Sequence, residues 1–247
     1  NVDFIQRANG LASRDEVKDI LFDASYLILG LGDVYLDAPC AVPLDPRHRL
    51  LSSKYNPART YTAEGTVGIG GMYMCIYGMD SPGGYQLVGR TLPIWNKYVK
   101  NAQFENGEPW LLRFFDQVRF YPVSEAELDE FREAFREGRA QIRIEQCEFD
   151  FAAYNRFIAD NAADIDAFQS QQKAAFDAEV RRQLCADDLT GRLLSDGSLA
   201  VEEFHLPLAK ELRNAGPWGQ HFPEPLFHGV FQLVQQRIVG ERHLKVV

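Results

Sequence analysis

The sequence lacks the paired cysteines and the short catalytic motifs that mark several kinds of site. None of its four cysteines forms a Cys-x-x-Cys pair: Cys40, Cys75, Cys147 and Cys185. This spacing predicts reduced, mostly buried thiols and no metal site. The patterns H-E-x-x-H, G-x-S-x-G and the P-loop are missing too, and GLGDVYL at 30–36 lacks the third glycine of a dinucleotide fingerprint. The sequence-local signatures of zinc peptidases, α/β-hydrolases, P-loop enzymes and Rossmann enzymes are therefore absent.

The sequence also has little of what membrane and nucleic-acid proteins require. Its longest apolar candidate, YLILGLGDVYL at 26–36, is interrupted by glycine and aspartate and is shorter than the roughly 20 apolar residues of a membrane-spanning helix. The net charge is −9, and residues 124–180 hold fourteen acidic against six basic side chains. These features predict a cytoplasmic protein without a broad nucleic-acid surface on that stretch. The first residues, NVDFIQRANG, have no initiator Met and no signal-peptide pattern, so we expect them to lie inside a longer protein.

The pattern of apolar, turn and capping residues predicts a mainly β protein with helices, of the α+β class. Short apolar runs separated by Gly and Pro fill 26–122 and indicate a barrel-like β unit, which we assign to residues 1–123. Ser124 and Glu127 match a capping box, and Gly138 is placed to end the helix that follows. The alternating run AQIRIEQCEF at 140–149 predicts one more strand, and Asp150 is placed to cap a long helix. Residues 124–184 are thus a helix, strand and long helix that extend the first region.

The composition changes at CADDLT, residues 185–190, which we predict to be a junction. Residues 191–247 then predict a strand and turn, a short helix in HLPLAKELRNAG, and a β-hairpin turning at Gly240. Because the last predicted strand coincides with the last residues, we expect this unit to be incomplete. We also expect the two parts to derive from two joined gene pieces.

A glycine-rich segment in the first region suggests a pocket. Gly83 and Gly84 allow a close approach of the backbone to a ligand and present N–H groups to an anion, while Arg59 and Arg90 supply fixed positive charge. The alternative is structural: the glycines form a tight hairpin turn and the arginines brace turns at the surface.

Four segments carry a resemblance that goes further: NVDFIQRANGL, DASYLILGLGDVYLDAPCAVPLDPRHRL, KYNPARTYTAEGTVGIGGMYMCIYGMDSPGGYQLVGRTLPIWNKY and PWLLRFFDQVRFYPVS. Together they resemble the KipI-like part of the carboxyltransferase of urea carboxylases, over about residues 1–182. The resemblance implies a cyclophilin-like β-barrel lobe that works beside a KipA-like lobe. It also implies that a biotin-carrier domain delivers carboxybiotin, and that the carboxyl group is transferred to urea to give allophanate.

The resemblance suggests site residues only by their positions in these segments. It implies Arg59, Arg90 and Asp33 as catalytic candidates. The substrate-binding candidates are Tyr55, Asn56, Gly83, Gly84 and Tyr85. The sequence has no counterpart of the biotin carboxylase or biotin-carrier domain, so we expect the chain to be inactive alone.

Some relatives with KipI-like chains have other roles, as kinase inhibitors or as subunits of 5-oxoprolinase. The runs SPGG and GRT are common to all these relatives and do not discriminate between them. GLGDVYL and YNPARTYT fit the urea carboxylase branch better. A regulatory binding module therefore stays the second alternative.

The last part carries a different resemblance. With the runs LLSDGSLAVEEF, AGPWGQHFPEPLF and FQLVQQRIVGERHLK, residues 189–247 resemble the OB-fold region of RecJ, an exonuclease specific for single-stranded DNA. Trp218 and Phe222 are candidates for stacking on bases, and Arg237, Arg242 and Lys245 for contacting phosphates. The alternative is that the two aromatic rings belong to the core. No counterpart of the metal-binding motifs of the nuclease core is present, so we expect DNA binding without nuclease activity to be the first alternative function.

Overall fold

The structure, a computed structural model, describes residues 1–31, 38–98, 101–185, 194–219, 222–230, 232, 234–239 and 243–246. For residues 238, 239 and 243–246 it describes the backbone alone. The chain divides into two compact units, Asn1–Leu184 and Cys185–Val247. Within the ranges given above, no helix is both long and apolar enough to cross a membrane.

The first unit combines helices and strands, which confirms the predicted α+β class. Its helices are α1 (Val2–Ala8), α2 (Arg14–Asp23), α3 (Glu125–Arg136), α4 (Phe151–Asp160) and α5 (Ala162–Gln183). Its strands are β1 (Tyr26–Gly30), β2 (Cys40–Pro43), β3 (Arg59–Thr62), β4 (Thr66–Gly70), β5 (Tyr73–Ile76), β6 (Ser81–Gly83), β7 (Gln86–Arg90) and β8 (Gln117–Val118).

Six of these strands form one antiparallel sheet in the order β7-β4-β5-β2-β1-β8, and β3 pairs with β6 in a separate two-stranded ribbon. In the described residues the sheet is open, with β7 and β8 at its edges. The closed barrel that the resemblance implies is therefore not observed in this part of the chain, because closure requires the two edge strands to pair with each other.

Two apolar clusters meet along β4, an interior strand of the sheet whose residues are all buried. One cluster lies among the strands and includes Tyr26, Ile28 and Met74. The other joins α1 and α2 to β4 through Ile5, Leu21, Ile69 and neighbouring side chains. Val88 packs against both clusters, so the sheet and the first two helices share a continuous core.

Helix α3 begins as the sequence predicts. The Ser124 hydroxyl accepts from the Glu127 N–H at 3.3 Å, and the Glu127 carboxylate accepts from the Ser124 N–H at 2.8 Å. Gly138 follows the helix with φ of +74°, a conformation that glycine adopts at little cost. On the buried face of the helix, Arg132 donates to the Thr91 carbonyl and pairs with Glu64 at 2.7 Å, which ties the helix to the strands.

Two predictions for 140–184 are wrong. Residues 140–149 form no strand: they are almost all exposed, Ile144 by 52%, and no strand among the described residues pairs with them. The backbone of Ile142 bonds to a side chain instead of a strand. Its carbonyl accepts from the Gln103 side-chain amide, and its N–H donates to the oxygen of the same amide. The single long helix is two helices, α4 capped by Asp150 as predicted, and α5. They separate at Asn161, whose side chain donates to the Phe157 carbonyl and so ends α4.

Helix α5 is held against α1 by buried polar contacts. The Gln172 amide donates to the Asn9 side chain at 2.7 Å and to the Arg49 carbonyl at 2.8 Å. Further along, the buried Glu179 carboxylate accepts from Arg182 and Arg7. These hydrogen bonds, from Arg182 first and Arg7 second, hold the pKa of Glu179 well below its ordinary value.

The second unit contains α6 (Leu206–Asn214) and the strands β9 (Gln236–Val239) and β10 (His243–Val246). Both the helix and the antiparallel hairpin were predicted and are confirmed. Gly240, the predicted turn, lies outside the described residues. Within 194–200 the predicted strand is reduced to one isolated bridge, Ser198 with His228. The expectation of mostly buried thiols is also wrong, since Cys147 and Cys185 are exposed.

Candidate functional site

The β3–β6 ribbon turns one polar face inward because it contains a bulge. Arg59 lies opposite Gly83, and Thr62 lies opposite Ser81, so a three-residue step on β3 matches a two-residue step on β6. Residues two apart on a strand share a face, and directly opposite residues do as well. The bulge therefore places all four of these residues on one face. That face is the buried one, since the residues between them are exposed.

The Arg59 guanidinium is the main charge of this face. Its three side-chain nitrogens are buried and have no hydrogen-bond partner in the described part of the chain. The guanidinium lies over the Tyr55 ring, with Cζ 5.3 Å from the ring centroid. A cation–π contact covers one side of a guanidinium but leaves the donors around its edge unpaired. A buried charge without an acceptor is unfavourable, so this group is arranged to meet one.

Thr62 and Ser81 were not identified from the sequence. They are 2% and 7% exposed, and both hydroxyl oxygens are buried without a partner among the residues described. A hydroxyl residue in a Gly-rich strand carries no signal by itself. What selects these two is their register across the bulge, which only the pairing of β3 with β6 shows.

The space left by the missing side chain of Gly83, where the sequence predicts the approach of a ligand, is occupied by a group of the protein itself. A Cβ on Gly83 would lie 2.6 Å from Cζ of Tyr77, so the tyrosine ring and its hydroxyl occupy the space of the missing side chain. Tyr77 is buried and was also missed by sequence reasoning. Its ring meets the Tyr85 ring edge-on, with the centroids 6.4 Å apart.

The other predicted substrate-binding residues lie around this ribbon. The Tyr55 N–H donates to the Gly84 carbonyl at 2.7 Å, which joins the segment before β3 to the segment after β6. The Lys54 ammonium lies over the Tyr85 ring, 4.8 Å from the ring centroid. Asn56 is exposed and precedes Pro57 in a cis peptide bond. The structure thus brings together two stretches of the chain, 55–59 with Tyr55 and Arg59, and 83–85 with Gly83, Gly84 and Tyr85.

Of the two other catalytic candidates, Arg90 contacts a different group of residues. Arg90 is exposed, and its Nε donates to the Glu64 carbonyl at 3.2 Å, beside the Glu64 pairs with Arg132 and Arg136. Burial lowers the pKa of Arg132 in this group. Asp33 lies outside the described residues. The catalytic assignments of Arg90 and Asp33 stay predictions.

The second unit brings its predicted aromatic pair together. The Trp218 and Phe222 rings are stacked, with centroids 4.9 Å apart and planes 20° apart, and the Trp218 indole donates to the Leu212 carbonyl at 2.9 Å. Phe222 remains 52% exposed. The exposed Arg237 lies on β9, directly opposite the backbone of Lys245 on β10. The side chain of Lys245 and all of Arg242 lie outside what the structure describes.

Among the described residues, no group of three or more His, Cys, Asp and Glu side chains is placed to hold a metal ion.

Comparison with known proteins follows the same division of the chain. Residues 1–104 match the family described as "Carboxyltransferase domain, subdomain C and D", and residues 195–247 match "RecJ OB domain". Both resemblances are confirmed. The urea amidolyase of Lachancea kluyveri is 52% identical over 203 residues, which are 82% of this chain and 11% of that protein.

Two further matches support these assignments. The single-stranded-DNA-specific exonuclease RecJ of Salmonella typhimurium is 61% identical over 59 residues, 24% of this chain and 10% of that protein. The crystal structure of the K. lactis urea amidolyase superposes with a TM-score of 0.66 at 50% identity, covering 73% of this chain and 11% of that one. The chain thus spans about a tenth of the length of the relatives it matches. Most of it is similar to the carboxyltransferase part of urea carboxylases.

Proposed function

We propose that residues 1–184 act as the KipI-like lobe of a biotin-dependent carboxyltransferase that helps transfer a carboxyl group to urea. The observation that carries the proposal is the buried Arg59 guanidinium. It lies within the part of the chain that matches urea amidolyases, and it has no acceptor among the described residues. A fixed cation in a water-poor site stabilises negative charge far better than one in water.

The residues of the ribbon fit a carboxyl-bearing group. Carboxybiotin, delivered by a biotin-carrier domain, would supply the carboxyl group: its N–carboxyl bond would break, a urea nitrogen would bond to the carboxyl carbon to give allophanate, and the proton lost by urea would go to the biotin ureido nitrogen. Arg59 holds the carboxyl oxygens through its edge donors, while the Tyr55 ring excludes water from one side of the guanidinium. Asn56, Tyr85 and the Gly83–Gly84 backbone orient urea, and Arg90 and Asp33 complete the set of candidates.

The proposed transfer requires partner domains. The residues matched by this chain make up only 11% and 9% of two urea amidolyases, so a KipA-like lobe and a biotin-carrier domain are expected partners. The chain alone is expected to be inactive, because nothing in its sequence resembles a biotin carboxylase or a biotin-carrier domain.

The test is transfer in a reconstituted enzyme. The chain is mixed with a KipA-like lobe and a carboxylated biotin-carrier domain, and labelled carboxyl transfer to urea is followed. We expect Arg59→Ala to lower the transfer rate at least about 100-fold, since donors to a developing oxyanion commonly contribute this much. Arg119→Ala, at an exposed arginine of the same unit, should leave the rate unchanged. Full activity of the reconstituted enzyme with Arg59→Ala would remove Arg59 from the site. If the reconstituted enzyme with the unaltered chain transfers no carboxyl group to urea, the proposed function is wrong.

A second function is supported for the other unit. Residues 195–247 match the RecJ OB domain, and in the stacked pair of Trp218 and Phe222 the Phe222 ring is 52% exposed. We propose that this unit binds single-stranded DNA by stacking and by contacts of Arg237, Arg242 and Lys245 with phosphates.

Fluorescence anisotropy with a labelled oligothymidylate tests this second function. Phe222→Ala should weaken binding about fivefold or more, because stacking on one base contributes about 1–3 kcal/mol. The control is Phe204→Ala, which removes an exposed aromatic ring of the same unit. Binding should also weaken steeply as salt rises. If the unaltered chain shows no salt-sensitive binding, the DNA-binding proposal is wrong.

A further inference from the structure

We infer that the buried face of the β3–β6 ribbon binds a small planar oxyanion of the carboxylate or carbonate class, held by the Arg59 guanidinium and the hydroxyls of Thr62 and Ser81. The inference names the ligand class and two further binding residues for the proposed carboxyltransferase site. Its link to catalysis rests on the proposed function, whereas the binding itself is measured independently.

The charge of Arg59 requires an anion. A guanidinium keeps its proton under all ordinary conditions and carries five N–H donors and no acceptor. Carboxylates are its usual buried partners, and the described residues offer none to this one. The Tyr55 ring, whose centroid is 5.3 Å from Cζ of Arg59, gives the guanidinium a cation–π contact but no acceptor for its N–H donors. A neutral ligand such as urea would leave the charge uncompensated.

The two hydroxyls point to the same ligand for an independent reason. Thr62 and Ser81 lie directly opposite each other, a position from which such residues commonly hydrogen-bond across the strands. Here both oxygens are buried and have no partner among the described residues. Each hydroxyl is therefore left to donate to a third group. Since the bulge sets Arg59 on the same face, one small anion is able to accept from all three side chains.

The size of the face limits the ligand. Gly83, opposite Arg59, has no side chain, but the Tyr77 ring fills the space that one would take. Two aromatic rings therefore flank this face, Tyr77 beside Gly83 and Tyr55 beside Arg59. A planar group of three or four heavy atoms matches the flat guanidinium fork.

Bicarbonate is the probe, titrated into the full-length chain at constant ionic strength with chloride as the balancing anion. We expect saturable binding by calorimetry, with formate competing. The double variant Thr62→Val/Ser81→Ala should bind bicarbonate at least about tenfold more weakly, because each hydrogen bond to a charged group contributes more than a neutral one. Thr60→Val, on the exposed face of the same strand, is the matched control. Equal binding by the double variant and the control would overturn the role of the hydroxyls.

A stability measurement keeps the proposal testable if the double variant folds poorly. Without bicarbonate, Arg59→Met should unfold at a higher temperature than the unaltered chain, since it removes an unpaired buried charge. Bicarbonate should raise the unfolding temperature of the unaltered chain and leave that of Arg59→Met unchanged. A lower unfolding temperature for Arg59→Met, together with no bicarbonate effect on either protein, would show that the guanidinium is structural and that the inference is wrong.

The two proposals fail in different ways. Bicarbonate binding without carboxyl transfer in the reconstituted enzyme supports this inference and overturns the proposed function. Carboxyl transfer at the full rate by Thr62→Val/Ser81→Ala, with no bicarbonate binding by the unaltered chain, overturns this inference alone.

Discussion

Asn9→Ala is expected to lower the free energy of unfolding of the first unit by about 3–5 kcal/mol. Asn9 is fully buried, and its amide makes four hydrogen bonds. It donates to the carbonyls of Ile5 and Leu51, and it accepts from the Leu51 N–H and the Gln172 amide. Alanine removes all four bonds and leaves several buried polar groups without partners, each of which costs about 1–3 kcal/mol.

Hydrogen–deuterium exchange measures this loss for the first unit alone, because it reports on individual backbone amides. Protection of the β4 and β5 amides should fall in Asn9→Ala to the extent of the lost stability. Gln171→Ala is the matched control: Gln171 also donates from α5, to the carbonyl of Gly10 just after the end of α1, but it is exposed. It should cost less than about 1 kcal/mol. Equal losses for the two variants would mean that burial of the Asn9 network contributes nothing.

Gly65→Ala is expected to destabilise the first unit by about 2–5 kcal/mol, from two separable causes. Gly65 has φ of +76°, which disfavours any residue with a Cβ. In addition, a Cβ there would lie 2.5 Å from the Thr91 carbonyl and would collide with the Arg132 guanidinium. Because Arg132 ties α3 to the strands, the collision should also loosen that helix.

Gly71→Ala separates the two causes. Gly71 has a similar φ of +65°, but a Cβ there would meet nothing within 4 Å. It should cost only about 1–2 kcal/mol for the left-handed conformation. Thermal unfolding gives the two stability losses, and hydrogen exchange of the α3 amides shows whether the helix loosens in Gly65→Ala alone. If both variants lose the same stability and α3 keeps its protection, the close packing of Gly65 is unimportant.

The helix boundaries show which signals were sufficient in the sequence. Ser124 and Glu127 form the predicted capping box, and Asp150 caps α4 as expected, because a cap depends on residues three positions apart. The strand predicted at 140–149 failed because a strand depends on a neighbour. Its alternation is real, but in the described part of the chain no strand pairs with it, and the Gln103 side-chain amide bonds to the backbone of Ile142.

The candidate site was predicted in part. Arg59, Gly83 and Gly84 were identified from the residue types in the glycine-rich segment and from its resemblance, and the structure places them together with Tyr55 and Tyr85. Thr62, Ser81 and Tyr77 were missed. In an unbulged strand Thr62 would point away from Arg59, three residues earlier, so no periodicity in the sequence brings them to one face.

Neighbouring residues were enough to predict the caps of α3 and α4, the β9–β10 hairpin and the two family resemblances, because capping, turn chemistry and long runs of matching residues are properties of neighbouring positions. The tertiary structure alone decided that Arg59 is buried without an acceptor and that two hydroxyls share its face. It also decided that Asn9 joins α1 to α5. These arrangements depend on the pairing of segments far apart in the chain, and a bulge of one residue is enough to change which side chains meet.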